Sequence, residues 1–345
     1  MCAQESGHKA PEIPPPIAVM AMGSGYMVSQ AMYVTAKLGI ADLLADGPKS
    51  SSEMAAKIAA DASALYRLLR ALAARGVFRE HSNGRFELTP LSECLQTNSP
   101  TSLRATIIMW NEEQYRAWGE LLHTVKTGET AFEHMFGATW DKHYVRGEPE
   151  RAKMFNAAMT RLTAQTGAAV IQAYDFSALD TLIDIGGGHG ILLTLILKAF
   201  PKARGIVFDI DSVISGTKTH IETEGLSNRC EAISGDFFAV VPSGGDAYIL
   251  SQVLHDWNDD DAIRILTNCH HSMSKHAKLL VMETVIQPGT DSSLATLSDL
   301  HMMAVTGGRE RTEAEYANLL SGAGLRLNKI VSTQSLVNVI EASKA

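Results

Sequence analysis

Cysteine is scarce: four residues in 345, at Cys2, Cys94, Cys230 and Cys269, with no CxxC pair and no zinc-ligand spacing. That excludes a disulfide framework and reads as reduced thiols in a cytoplasmic protein. Positive charge is also short, with 30 Lys and Arg against 38 Asp and Glu and a net charge of −8. Nucleic acid and anionic membranes both reward a basic surface, so this balance argues against either as a partner. No unbroken apolar run of about 20 residues occurs, which predicts no bilayer span. The opening "MCAQESGHKAPEIPPPIAVMAM" lacks the basic start and long apolar stretch of a signal peptide and reads as a loose, proline-containing arm.

Two nucleotide fingerprints are missing as well. "TLIDIGGGHGILLTLILKAFP" reads as strand, glycine turn and helix. Counted from Gly186, the last position of GxGxxG falls on Ile191, so the dinucleotide signature fails, and no Gly-Lys-Ser/Thr makes a P-loop. What stands there is an acid, Asp184, followed by Gly186, Gly188 and Gly190. Asp209 ends a second apolar strand, "IVFDI", and Gly235-Asp236-Phe237 follows a third. Ligands of an open α/β sheet bind outside the carboxyl ends of its strands. Three carboxylates on that rim repel pyrophosphate and suit a cation. Asp209 suits a ribose diol and Phe237 a purine face. A positively charged nucleoside without phosphates fits all of these, which points to S-adenosyl-L-methionine.

Residues 1–101 read as a helical N-terminal domain and residues 102–345 as a second domain whose segment 102–178 is mostly helical. "SSEMAAKIAA", with Ser51 or Ser52 as N-cap, precedes "DASALYRLLRALAARG", where Leu65, Leu68, Leu69 and Leu72 share a face. Two short strands around Ser82-Asn83-Gly84 complete a winged-helix outline. Between Lys37 and Glu93 eight basic residues face seven acidic ones, too even for phosphate binding, so a dimerisation or scaffold role is favoured over DNA. After Leu179 short strands alternate with helices: "TLIDI", "GIVFD", "CEAIS", "AYILS", "KLLVME", then a closing antiparallel hairpin. The fold class is α/β: a C-terminal, doubly wound, Rossmann-like sheet with a helical winged-helix domain before it.

His255 stands just past "AYILS", on the same rim, where a neutral imidazole can accept a hydroxyl proton. Asn258 or Asp259 caps the helix that follows, and Asp260 and Asp261 sit in its first turn. Glu283, ending "LLVMET", and Glu310, in "VTGGRERTEAEY", return acids to the rim and are expected to orient the base. Thr312 and Glu315 form a capping box. His270 and His271 are neighbours on a helix, about 100° apart, and no metal site is expected from them.

"DIGGGHG", "VFDI", "GDFF", "ILSQVLHDW", "METV" and "GGRERTEAEYANLLSGAGL", with "GIADLL" near the start, resemble the small-molecule O-methyltransferases of the acetylserotonin and caffeic acid type. The resemblance runs over nearly the whole chain. It implies methyl transfer to a hydroxyl of an aromatic or polyketide-like small molecule, with His255 as general base flanked by Glu283 and Glu310. It carries cofactor contacts to Gly186, Asp209, Gly235, Asp236, Phe237 and Tyr144, and an acceptor pocket to Phe155, Met159, Met302 and Met303. It also implies a homodimer whose N-terminal modules exchange helices and close the acceptor pocket. Two positions depart from the pattern: Gln252 where Arg or Lys is frequent, and Thr163 where acetylserotonin methyltransferase has a cofactor-contacting tryptophan. Gln252 stands with the expected cofactor contacts. The alternatives are a homologue that binds S-adenosyl-L-methionine yet assists hydroxylation or decarboxylation, and a ligand-sensing DNA-binding regulator.

Overall fold

The structure is a computed structural model that describes residues 13–287, 289 and 293–345. Cys2 and the first twelve residues of the proline-containing arm lie outside the described residues. The chain divides into two compact units, with the division between Asn111 and Glu112.

The first unit opens on helices α1 (Pro15–Gly23), α2 (Gly25–Lys37) and α3 (Ile40–Leu43). Expected to be a loose arm, the start of α1 is helical, because Pro15 falls in the first helical turn, where its missing N–H costs nothing. Pro15–Lys37 is also long and apolar enough to cross a membrane by length and composition alone. The polar residues and glycines that interrupt it hid this from a search for an unbroken run. Strand β1 (Lys49–Ser50) leads into α4 (Ser51–Ile58), α5 (Ala62–Ala73), the hairpin β2 (Phe78–Glu80) and β3 (Arg85–Leu88), and then α6 (Pro90–Glu93) and α7 (Arg104–Met109). The cap of α4 is Ser50, not Ser51 or Ser52: its hydroxyl takes the N–H of Glu53 and the Glu53 carboxylate returns to the Ser50 N–H. On α5, Leu65, Leu69 and Leu72 are buried against Ile40, Met54, Phe78 and Phe86. Leu68 only borders that cluster. The three strands pair in the order β1-β3-β2.

The second unit begins with α8 (Tyr115–Gly119), α9 (Leu121–Thr127), α10 (Ala131–Phe136), a π-helical turn at Asp141–Val145 and the 25-residue α11 (Pro149–Ala173). Strand and helix then alternate: β4 (Thr181–Ile185), α12 (Ile191–Ala199), β5 (Arg204–Asp209), α13 (Asp211–Thr223), β6 (Cys230–Ser234), β7 (Ala247–Ser251), α14 (Asp259–Ser272) and β8 (Lys278–Ile286). Helix α15 (Ser293–Val305), β9 (Arg311–Thr312), α16 (Glu313–Gly322) and the antiparallel pair β10 (Leu325–Val331) and β11 (Val337–Lys344) close the chain. The sheet order is β10-β11-β8-β7-β4-β5-β6, with β9 beside β8. Strands β8, β7, β4, β5 and β6 are parallel, and β11 is antiparallel to β8. The order reverses at β4, flanked by β5 and β7, so the glycine turn sits at the switch point where such sheets bind ligands. Apolar clusters cover both faces of the sheet, as near-continuous apolar strands require.

Strand β5 starts one residue earlier than the sequence reading, at Arg204, and the end of β8 differs more. Strand β8 does not stop at Glu283 but runs to Ile286, because Val285 and Ile286 pair with Arg311 and Thr312 of β9. That pairing brings the residue before Arg311, Glu310, alongside Glu283.

Candidate active site

The chain leaves β7 through Gln252, whose φ of 53° is left-handed, a region L side chains avoid. Its N–H donates to the Met282 carbonyl at 3.0 Å. Such a residue costs about 1–3 kcal/mol and persists only where its surroundings fix it. Here the chain turns at once into a short 3₁₀ turn, Leu254–Asp256, carrying His255.

Glu283 holds that turn from below. Its Oε1 accepts the N–H groups of Val253 and Leu254, both at 2.9 Å. The other oxygen, Oε2, lies 3.4 Å from His255 Nδ1. Glu310 Oε1 is 3.2 Å from the same nitrogen and also accepts the Ser298 hydroxyl at 2.8 Å. The Glu310 N–H donates to Asp299 at 3.0 Å. His255 is 8% exposed, Glu310 1% and Glu283 fully buried. One atom from each of the three lies within 4.8 Å of the others, a spacing a metal ion would also accept. The sequence reading grouped these three residues as a base with its orienting acids, and expected no metal there.

Three neighbouring residues hold the turn from above. Gly308 packs so tightly that a Cβ there would stand 2.0 Å from the His255 carbonyl oxygen. The Arg309 N–H donates to that same carbonyl at 2.9 Å. Arg311 is buried at 1% exposure, and its guanidinium donates to the carbonyls of Leu254 and Trp257 and to Asp259. Ser298, Asp299, Gly308 and Arg311 were not singled out from sequence. Only the glycine pair in "VTGGRER" offered a signal.

The charges decide the protonation. Burial alone would lower the pKa of His255, but Glu283, Asp256 and Glu310 outweigh it and push it up to about 10. Burial pushes Glu283 up to about 7, against the pull of His255. Burial likewise raises Asp256 to about 6. The surrounding carboxylates therefore favour the protonated imidazole.

At the switch point, a Cβ on Gly186 would stand 3.0 Å from Val253 Cγ2 and 3.5 Å from the Phe237 ring, so the glycine, Phe237 and Val253 face one another closely. Asp209 Oδ2 accepts the Gly188 N–H at 2.8 Å and Oδ1 the Ile210 N–H at 2.7 Å, leaving lone pairs free. Asp184 is 1% exposed, and neither of its oxygens has a partner among the described residues. Burial, then the Asp209 charge, raises it to about 7. Gly235 lies against Phe208, where a Cβ would clash at 2.3 Å. Asp236 is exposed and accepts the Phe238 N–H at 2.8 Å. Tyr144 lies fully buried in an aromatic cluster with Phe132 and Phe155, where burial and then the nearby Glu113 carboxylate raise the pKa of its hydroxyl. Phe155, Met159 and Thr163 are half-buried on α11, and Met302 and Met303 half-buried on α15. The cysteines described, Cys94, Cys230 and Cys269, are free.

Residues 118–326 match the model of the O-methyltransferase domain, and residues 20–98 that of the O-methyltransferase dimerisation domain. The chain belongs to this O-methyltransferase family. It is 44% identical over 335 residues to phenazine O-methyltransferase PhzM of Lysobacter antibioticus, covering 97% of this chain and 98% of that one. The solved structure of LaPhzM superposes with a TM-score of 0.93 at 44% identity, covering 96% of this chain and 100% of that one. Human N-acetylserotonin methyltransferase in complex with SAM superposes with a TM-score of 0.88 at 29% identity, covering 98% and 99% of the two chains.

The raised pKa of His255 ties stability to pH with a definite sign. A group whose folded pKa lies above its unfolded value of about 6.5 contributes fully below about pH 6.5 and loses that contribution as pH rises through about 10. Thermal melts of wild type and His255→Asn at pH 6 and pH 10.5 are expected to show the wild-type advantage in Tm narrowing at the higher pH. A gap that stays constant or widens contradicts the charge assignment.

Proposed function

We propose that this protein moves the methyl group of S-adenosyl-L-methionine to a ring hydroxyl of an aromatic or polyketide-like small molecule, with His255 as general base. The observation that carries this is the pair of buried carboxylates on one imidazole nitrogen. With Nδ1–H directed at Glu310 and Glu283, Nε2 is left for the acceptor. The Asp256 carboxylate is 3.9 Å from Nε2, too far for a hydrogen bond.

S-adenosyl-L-methionine supplies the methyl as an electrophile on a sulfonium sulfur and leaves as the neutral thioether. The residues at the switch point fit it. Asp209 keeps lone pairs for a ribose diol, the Gly186 turn lets a ligand approach the backbone, and Phe237 offers a flat face beside it. We assign cofactor contact to these, to Gly188, Gly235 and Asp236, and to Gln252 at its strained bend. Asp184 acts from beneath the turn as a buried charge. Tyr144 is assigned to the cofactor on the family likeness alone.

His255 Nε2 takes the hydroxyl proton as the oxygen attacks the methyl carbon. The imidazolium so formed is stabilised by Glu283 and Glu310, which is the reason for burying both acids beside it. A phenol has a pKa near 10, so proton transfer from it to the deprotonated form of His255, whose pKa the acids push up to about 10, is nearly balanced. Phe155, Met159, Met302 and Met303 are assigned to the acceptor pocket. The likeness to a phenazine O-methyltransferase favours a planar, fused-ring phenol.

Residues 1–101, most of the first compact unit, are assigned as the dimerisation domain of a homodimer, and 102–345, which takes in the whole second unit, as the catalytic domain. Met20, Met22, Tyr26 and Met27 are more than half exposed or nearly so, an apolar surface that a second copy would cover. Light scattering at micromolar concentration should report a mass near twice 37.3 kDa. A fully active monomer contradicts the dimer.

His255→Ala should lower turnover by roughly 10²–10⁴, the usual weight of general-base catalysis, while calorimetric affinity for S-adenosyl-L-methionine stays near wild type. Product mass gives the second readout: a gain of one methyl supports the reading, and a gain of one oxygen contradicts it. An unimpaired His255→Ala enzyme removes the base assignment.

A further inference from the structure

His301 takes no part in the chemistry described so far, yet it stands one helical turn from it. Ser298 and His301 are three residues apart on α15, which puts them on the same side of the helix. Ser298 donates to Glu310, the carboxylate that faces His255. His301 therefore belongs to the rim above the base.

Its protonation is set by a second residue. The indole Nε1–H of Trp118, on α8, donates to His301 Nδ1 at 2.9 Å, and the two rings lie 22° from parallel. An indole nitrogen can only donate, so Nδ1 must be the acceptor and the proton must sit on Nε2. Burial, reinforced by the nearby His255, lowers the His301 pKa to about 4, so the ring stays neutral through the working range. Among the described residues, none accepts a hydrogen bond from His301 Nε2–H. A partly buried donor beside a reaction site, with its other nitrogen already committed, is a group awaiting an acceptor atom.

We infer that Trp118 and His301 form a substrate-reading pair: Trp118 fixes the tautomer, and His301 Nε2–H selects phenols whose ring system carries a lone-pair atom, a pyridine-type nitrogen or a carbonyl oxygen. This rests on the methyl-transfer reading above and narrows its substrate class. A site built to donate to such an atom rejects the isostere lacking it, because the donor is then left unpaired. His301 acts by touching substrate. Trp118 is a positioning residue that acts through His301.

Two isosteric probes separate this role from simple packing: 1-hydroxyphenazine, with ring nitrogens, and 1-hydroxyanthracene, with carbon in their place. Wild type should favour the phenazine by tenfold or more in kcat/KM. His301→Ala should erase the preference by lowering kcat/KM for the phenazine alone, and His301→Gln, which keeps an N–H donor, should restore part of it. Trp118→Phe frees Nδ1 to carry the proton and should reduce the preference without touching the anthracene rate. Calorimetric affinity for S-adenosyl-L-methionine, unchanged in all three variants, verifies folding. Equal losses on both probes would make the pair a structural staple between α8 and α15 and overturn the inference. So would a wild-type preference that survives His301→Ala. Turnover of neither probe by wild type overturns the fused-ring phenol reading, and this inference falls with it; turnover of both without preference overturns the inference alone.

Discussion

The site depends on one electrostatic constraint: a single buried imidazole shares its Nδ1 with two carboxylates that water does not reach. Two buried acids so close repel each other, and burying each ion costs several kcal/mol unless a positive partner offsets it. His255 is that partner. The cluster is therefore held together by the proton it carries, and removing that proton leaves Glu283 and Glu310 facing each other across a neutral ring. The same arrangement stabilises the imidazolium in catalysis, so what holds the site together also makes His255 a stronger base than a solvated histidine.

The backbone around the cluster is arranged to keep His255 where the acids are. The left-handed Gln252 turns the chain out of β7, Glu283 caps the free N–H groups of the 3₁₀ turn, and the β8–β9 pairing delivers Glu310 beside Glu283. Gly308 and Arg311, on either side of Glu310, press on the same turn from the opposite direction. Side chains carried on sheet ends and tied to their neighbours in this way are held in defined positions, which is what preorganised electrostatics require.

Much of this was legible in the sequence, because the strands are short apolar runs between clear turn signals. Strands β4, β6 and β7 match their sequence reading at both ends, and Asn258 and Thr312 cap the helices expected of them. The pieces that were missed are those set by tertiary partners. Strand β8 runs on past Glu283 only because β9 pairs with it, and a two-residue strand has no periodicity to read. Gln252 has no left-handed preference of its own, so its φ is imposed by the fold. The charge state of His255 follows from where Glu283, Asp256 and Glu310 end up, which spacing along the chain does not disclose. The Trp118–His301 bond joins residues 183 positions apart and left no trace in any motif.

The most direct test of the shared-proton account is the pH dependence of kcat/KM, which reports ionisations of the free enzyme and free substrate. Wild type and Glu310→Gln should be compared on one phenol, so that the ionisation of the substrate is common to both. Wild-type kcat/KM should rise with pH above neutrality as His255 gives up its proton. Glu310→Gln removes one of the charges that hold the proton there, so its rising limb should move to lower pH and its plateau should fall. Profiles that superimpose after scaling would contradict the account, since they would mean that Glu310 has no electrostatic hold on the base.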